Sequence, residues 1–144
     1  PVPTHTLGSI STGHETLVVG SYDAHKTALP LSDFSSSGPT RDGRQKPEVS
    51  APGHAVVAAK SGSGDGVVRK SGTSMAAPAV TGLTALVLAE ARRRGKSLSI
   101  AAIRQRLTST AALNPPAIAA GAWDPRYGFG RATGQSILPG TADA

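Results

Sequence analysis

A chain of 144 residues is long enough to form one domain around a hydrophobic core, and it carries a net charge of +6. It has no cysteine, which excludes a disulfide framework, a thiolate metal site and a cysteine nucleophile. The positive charge would suit a nucleic acid, but aromatic residues make up only 3% of the chain, too few to stack on bases. The 17 glycines and 11 prolines indicate a fold rich in tight turns rather than a helical bundle.

The first residues show no targeting signal. Pro1-Val2-Pro3-Thr4 has neither the basic nor the apolar region of a signal peptide, and the chain does not begin with methionine. We therefore expect it to be an excerpt from a longer protein. The apolar run from Met75 to Ala91 is expected to be too short and too interrupted for a membrane span, which needs about 20 residues.

Residues 1–15 are polar and irregular, and four short segments after them predict β-strands. The first segment is an apolar run that ends in Gly20, which is typical of a buried parallel strand. The last two flank the glycine-rich loop 61–66 and predict a hairpin. That loop leads into a strand rather than a helix, which argues against a phosphate-binding loop. The predicted strands are Leu17–Val19, Glu48–Ala51, Ala55–Ala59 and Val67–Val68.

A long helix is predicted from Thr73 to Arg93. The turn-forming pair Ser71-Gly72 leads into two hydroxyl residues that commonly start a helix, and Pro78 is tolerated near the first turn. Apolar side chains cover most of the circumference, so we expect this helix to be buried on all sides. The run Arg92-Arg93-Arg94-Gly95-Lys96 is typical of a solvated helix end.

Two shorter helices are predicted after it. The first spans about Ile100 to Thr108, with Ser97 or Ser99 as its cap. Its arginines, Arg104 and Arg106, are expected to face solvent. Later features are a break at Asn114-Pro115-Pro116, a short helix of about Ala132 to Leu138 and a frayed end at residues 140–144.

Ser74 lies at the predicted N-terminus of the long helix, which is a favourable place for a nucleophile. The positive end of the helix dipole and the unpaired N–H groups there favour a developing alkoxide or oxyanion. Gly72 leaves room for the backbone of a substrate. On these residues alone, Thr73 or Ser74 could equally be a simple helix cap.

Three parts of the chain resemble the subtilisin-like serine proteases, or subtilases. The segment Gly72–Pro78 reads Gly-Thr-Ser-Met-Ala-Ala-Pro and matches the nucleophile motif of that family residue for residue. The other two are the Phe-Ser-Ser, Gly-Pro and Ala-Pro-Gly signature within residues 31–53, and the aromatic-glycine turn at Tyr127–Ala132.

The resemblance extends from about His14 to Leu138 and corresponds to the C-terminal half of a subtilase domain. It implies an α/β, three-layer subtilisin-like fold with a mostly parallel sheet, of which residues 1–144 supply only the C-terminal portion. Ser74 would be the nucleophile for peptide-bond hydrolysis by acyl transfer. Gly72, Thr73 and Met75 would shape the oxyanion and substrate site, although Met75 could equally fill the core.

The other catalytic motifs of the family have no match in this sequence. Subtilases carry the aspartate in an Asp-Ser/Thr-Gly context, the histidine in a His-Gly-Thr-His context and the oxyanion asparagine in an Ala-Gly-Asn motif. None of the five aspartates from Asp23 to Asp124 and none of the four histidines has these contexts. A serine hydroxyl without a neighbouring base is a weak nucleophile, so we expect the chain alone to be inactive.

Several interpretations of function follow from the resemblance. The chain would be a segment of an active serine endopeptidase, a fragment that complements a separate N-terminal chain, or a pseudoprotease that serves as a scaffold or binding module. Ala79 stands where many subtilases have a histidine outside the triad; we interpret the change as neutral packing variation that slightly favours the last interpretation. The implied partners are a polypeptide substrate and the N-terminal half of the same domain, with neither nucleic acid nor membrane.

The resemblance also implies a secreted protein, and it bears on metal binding and association. Many subtilases bind calcium, but the sequence contains no oxygen-ligand cluster with ligand-like spacing, so we expect no cofactor in this chain. Half of a parental sheet would leave an open strand edge and an apolar helix face. We therefore expect self-association, or a second chain on that face, rather than a compact monomer.

Overall fold

The computed structural model describes residues 4–113 and 121–138. The predicted break at residues 114–116 and the predicted frayed end at residues 140–144 lie outside the described residues. In chain order the elements are a 3-10 turn at Ser9–Thr12, strands β1 (Val19–Tyr22), β2 (Val49–Pro52), β3 (Val56–Ala59) and β4 (Val67–Lys70), helices α1 (Thr73–Arg93) and α2 (Ile100–Ser109), and a 3-10 turn at Gly134–Ile137.

The sheet that positions the site is a parallel pair, β1 and β2, with Val19 opposite Val49. On the far side of β2, the N–H of Ser50 donates to the carbonyl of Gly130 (2.8 Å), and the N–H of Ala132 donates to the carbonyl of Ser50 (2.9 Å). Strands β3 and β4 form an antiparallel hairpin. The predicted α/β class, the parallel pairing and the hairpin are therefore confirmed.

Strand β1 begins at Val19, two residues later than predicted, and includes a buried serine. The N–H of Ser21 donates to Ser35 Oγ (3.0 Å), and the Ser21 hydroxyl shares a hydrogen bond with Ser32 Oγ (2.9 Å). Because the loop 32–35 satisfies these polar groups, they can be buried in a strand. The apolar run alone could not reveal that compensation, so the predicted strand Leu17–Val19 is misplaced.

The last predicted helix is shorter than expected. In place of a helix from Ala132 to Leu138, only a 3-10 turn at Gly134–Ile137 forms. The reason is that the preceding backbone is bonded elsewhere, since the N–H of Arg131 donates to the carbonyl of Ala112 (2.8 Å) and Ala132 bonds to β2. A 3-10 turn at Ser9–Thr12 also lies within residues predicted to be irregular.

Helix α1 has the predicted bounds but is buried on only one side. Leu86 and Leu88 are 54% and 41% exposed, so the expectation of burial on all sides is wrong for this chain. Among the described elements, α1 packs mainly on β1, β2 and the 3-10 turn at Gly134–Ile137. Its buried residues share one face of the helix, and they are Ala76, Val80, Val87 and Ala91. The core cluster beneath it comprises Val49, Ala51, Ala76, Val80, Ile103 and Leu107.

Helix α2 forms as predicted, with Ser99 as its cap. The Ser99 hydroxyl accepts a hydrogen bond from the N–H of Ala102 (3.2 Å). Arg104 does not face solvent as expected, because its Nε donates to the carboxylate of Glu48 (3.1 Å). The apolar side chains Ile103 and Leu107 join the core against β2.

By length and composition alone, α1 could cross a membrane. It has 21 residues and a mean hydropathy of 1.4 over its most apolar stretch. The prediction that the apolar run from Met75 to Ala91 is too short for a membrane span is therefore wrong, because the helix that contains it is long enough. The core helix of a soluble protein meets the same criteria, so this property is weak evidence for a membrane location.

The last turn of α1 predicts a specific dependence of stability on pH. Hydrogen bonds from Arg93 (2.8 Å) and Arg94 (2.6 Å) lower the pKa of Glu90 from its ordinary 4.5 to about 2. A carboxylate with a depressed pKa adds stability that is present above 4.5 and lost as the pH falls towards 2. We expect wild type to unfold at a higher temperature than Glu90→Gln at neutral pH, with the gap closing near pH 2. A gap independent of pH would contradict this.

The exposed face of α1 predicts self-association. The outer edge of β1 is partly covered, because the carbonyl of Ser21 accepts from the N–H of Ser32 (2.9 Å), so the helix face rather than the strand edge should make the contact. We expect sedimentation velocity to show species larger than 14.5 kDa. The double variant Leu86→Glu/Leu88→Glu should reduce them, whereas Val67→Glu on the exposed hairpin should not. A compact wild-type monomer would overturn the prediction.

Candidate active site

Ser74 lies in the first turn of α1, and its side chain is exposed. Gly72 is the N-cap, and its carbonyl accepts from the N–H of Met75 (2.9 Å). In the part of the chain that the structure describes, neither the hydroxyl of Ser74 nor the N–H groups of Thr73 and Ser74 have a hydrogen-bond partner. A free hydroxyl therefore sits among free donors at the positive end of a helix.

Backbone hydrogen bonds fix the entry into this helix. The N–H of Gly72 donates to the carbonyl of Gly53 (2.8 Å), and the N–H of Gly53 donates to the carbonyl of Tyr22 (3.2 Å). The hydroxyl of Ser71 also accepts from the N–H of Ala55 (2.9 Å). Tyr22 ends β1 and Gly53 directly follows β2, so the start of α1 is tied to the carboxyl ends of both strands. Ligand sites of open α/β sheets lie outside those ends.

Gly53 is predicted to tolerate no side chain at this junction. A Cβ there would overlap Ser21 Oγ and come within 2.7 Å of the carbonyl oxygen of Gly72. We expect Gly53→Ala to lower the free energy of unfolding by about 1–3 kcal/mol, the usual cost of overpacking, in denaturant titrations. The matched control is Gly82→Ala on α1, where nothing lies within 4 Å of the added methyl and a gain of about 1 kcal/mol is expected. Equal effects of the two substitutions would refute the steric argument.

A cavity of about 600 Å³ opens beside Ser74. The first residues of α1 form one wall, and the segment that leads into β1 forms another. No charged side chain is among the lining residues, so the cavity suits neutral groups. The lining residues are Gly8, Ser9, Ile10, Ser11, Thr16, Leu17, Val18, Val19, Ser36, Thr73, Ser74 and Ala77.

The structure brings together some of the residues that the sequence singled out. Thr73 and Ser74 line the cavity, and Gly72 caps the helix beside them. Met75 is half-buried and does not line the cavity. Sequence reasoning missed Ala77, and it missed Ile10, which is 91% exposed. The polar, irregular residues around Ile10 carry no periodic signal that could have revealed this wall.

None of the four histidines makes a hydrogen bond to Ser74 in the described ranges. His5 and His14 are exposed. The N–H of His25 donates to the carboxylate of Asp23 (2.9 Å), and this bond lowers the pKa of Asp23. His54 stacks on Phe34, with the ring centroids 6.1 Å apart. The described residues therefore give Ser74 no general base.

The family resemblance allows a calcium ion, so the question is whether the oxygen atoms of the described residues could bind one. Over residues 4–113 and 121–138, no group of three or more histidines and carboxylates could hold a metal ion. One mixed group of oxygens does occur, where the carbonyl of Thr16 and the carboxylate of Glu48 lie 2.6 Å and 2.8 Å from the ammonium of Lys46. A side-chain cation already occupies this place, so these residues do not fit calcium.

The fold and this geometry define an α/β protein with a free serine hydroxyl at a helix N-terminus beside a cavity of about 600 Å³. The family model described as the Subtilase family matches residues 3–130. The chain therefore belongs to the subtilase family of serine proteases.

Relatives and solved structures support the same assignment. The chain is 33% identical to the serine protease AprX of Bacillus subtilis over 99 residues, covering 58% of this chain and 22% of AprX. It is 39% identical to the subtilisin-like protease SBT3.11 of Arabidopsis thaliana over 95 residues, covering 62% and 12%. The structure of the Clostridium perfringens CspB protease matches 93% of this chain and 28% of its own, with a TM-score of 0.79 and 31% identity. The prenylagaramide maturation protease PagA matches 93% and 45%, with a TM-score of 0.72 and 27% identity.

Proposed function

We propose that this chain supplies the nucleophile of a subtilisin-like serine endopeptidase. The observation that carries the proposal is the exposed, unpartnered hydroxyl of Ser74 in the first turn of α1. In this proposal Ser74 attacks the carbonyl of a polypeptide substrate and its own N–H donates to the oxyanion. Gly72 and Thr73 form the wall beside the reacting group. Met75, which is half-buried, supports the first turn of α1.

The chain alone would be inactive and would act only when further polypeptide completes the site. Two findings support this: the described residues give Ser74 no base, and the chain matches only 22% of AprX and 12% of SBT3.11. The completing segment would be the N-terminal half of the same domain or a separate chain. Its histidine would take the proton of Ser74, its aspartate would orient that histidine and its asparagine would donate to the oxyanion.

The substrate would present a neutral side chain next to Ser74. The cavity there is lined by serine and threonine hydroxyls and by aliphatic side chains, and its lining includes no charged residue. In the completed site, where the added segment would cover this cavity, a charge without a partner would be costly, so an acidic or basic side chain would be disfavoured there. Secretion, which the family resemblance implies, belongs to the same proposal and would be tested by fractionating the producing cells.

The test is covalent labelling by a fluorophosphonate, which reacts with activated serines. The chain would be fused to an N-terminal subtilase segment with the aspartate, histidine and asparagine motifs, and the labelled peptide would be identified by mass spectrometry. We expect the label on Ser74, no label on Ser74→Ala and full labelling of Ser61→Ala, an exposed serine on the hairpin tip. A folded fusion that binds peptides but takes no label would select the pseudoprotease interpretation instead.

A further inference from the structure

We infer that the positive side chains of Lys46 and Arg104 take the place of a bound metal ion. Their hydrogen bonds to oxygen atoms stabilise the wall of the cavity beside Ser74, which includes Thr16 and Val18. This inference concerns the structure of the wall and stands whether or not Ser74 is a nucleophile. It starts from the unusual burial of Lys46, whose side chain is only 3% exposed, next to Glu48, whose side chain is 4% exposed. Lysine is rarely buried to this extent unless its charge is paired.

The ammonium of Lys46 bonds to oxygens from two different segments. It lies 2.6 Å from the carbonyl oxygen of Thr16 and 2.8 Å from Glu48 Oε1. The other carboxylate oxygen of Glu48 accepts from the N–H of Val18 (2.8 Å). The Lys46–Glu48 pair therefore fastens the residues that lead into β1.

Arg104 on α2 completes the cluster from the other side. Its Nε donates to Glu48 Oε1 (3.1 Å), and its Nη2 donates to the carbonyl of His14 (2.8 Å), with Thr16 O at 3.5 Å. Backbone carbonyls and a carboxylate are the ligand types that calcium prefers. Here two side-chain cations satisfy them, and their combined charge exceeds that of the single carboxylate.

The cluster bears on the site because Thr16 and Val18 line the cavity beside Ser74. The positions of their backbones depend on the bonds to Lys46 and Glu48. A divalent ion brought to the same oxygens would meet two positive side chains at short range, and that repulsion excludes it. The wall should therefore hold its shape without calcium, and removing the charge of Lys46 should make it depend on calcium.

The experiment compares thermal unfolding of the 144-residue chain in chelator and in millimolar calcium, the range of weak extracellular sites. Wild type should unfold at the same temperature in both. Lys46→Glu, which adds a second carboxylate to the oxygens, should unfold at a lower temperature in chelator, regain stability in calcium and give a binding signal in calorimetry. Lys60→Glu makes the same change of charge on the exposed hairpin and should show no response to calcium.

Two results would overturn the inference. One is a calcium-dependent rise in the unfolding temperature of wild type, and the other is a folded Lys46→Glu that is indifferent to calcium. If Lys46→Glu does not fold in either buffer, Lys46→Met decides, because it keeps an unbranched side chain of similar size and removes the ammonium with its charge and its hydrogen bonds. The inference requires Lys46→Met to unfold well below wild type, and equal unfolding temperatures would refute it.

Discussion

The isolated 144-residue chain should release no more product from a chromogenic peptide than its Ser74→Ala variant does. The reason is that proton abstraction from Ser74 has no positioned base among the described residues. Subtilisin, an enzyme of the same family, loses about 2 × 10⁶ in kcat when its histidine is removed. Fusion to a segment with the family's aspartate, histidine and asparagine motifs should therefore raise turnover by several orders of magnitude.

The controls separate this outcome from contamination and from misfolding. Turnover in the fusion should disappear with Ser74→Ala and persist with Ser61→Ala. Circular dichroism of the Ser74→Ala fusion should match that of the active fusion. Turnover by the isolated chain that depends on Ser74 would refute the prediction, because a base would then have to lie within these residues.

Replacing Glu48 by glutamine should be the most destabilising change outside the apolar core. The substitution keeps the shape of the side chain but leaves the buried ammonium of Lys46 and the guanidinium of Arg104 without a counter-charge. Breaking a buried ion pair by removing one partner costs about 3–5 kcal/mol. For a chain of this length that corresponds to a fall of about 10 °C in the unfolding midpoint, measured by differential scanning calorimetry.

Glu15→Gln is the matched control for this prediction. Glu15 is exposed and has no ion pair or hydrogen bond in the ranges that the structure describes, so the same chemical change should barely move the midpoint. If Glu48→Gln unfolds at the same temperature as Glu15→Gln, the buried cluster contributes no net stability. The inference about Lys46 would then lose its physical basis as well.

The sequence predicted correctly those helices and strands whose formation depends on residues close to one another in the chain. The bounds of α1 were predicted correctly because a turn, two hydroxyl residues, a long apolar run and a basic end occur together. The hairpin of β3 and β4 was predicted because glycines separate two short apolar segments. The shift of β1 and the ion pair of Arg104 could not be predicted. Their causes are contacts over 14 and 56 residues, from Ser35 to Ser21 and from Arg104 to Glu48.

The candidate site divides in the same way. The motif around Ser74 could be recognised because its residues are contiguous, and the structure places it at the start of α1 as expected. The cavity wall that contains Ile10 could not be predicted, because polar residues without periodicity give no sign of which element they will face. The one-sided burial of α1 also escaped prediction, since an apolar pattern reports what a helix can bury and not what covers it.

Main-chain hydrogen bonds that join Tyr22, Gly53 and Gly72 fix the position of Ser74, and the hydroxyl of Ser71 adds a side-chain bond at the same turn. In the proposed enzyme, an exposed position of α1 such as Ala77, which lines the cavity, could therefore be varied to change what a substrate contacts while the hydroxyl of Ser74 stays in place. Gly53 has to be kept, because a side chain there would clash with Ser21 and with the carbonyl of Gly72. In the proposed enzyme, a library that randomises the helix surface and keeps Gly53 would vary the specificity around a serine of fixed position.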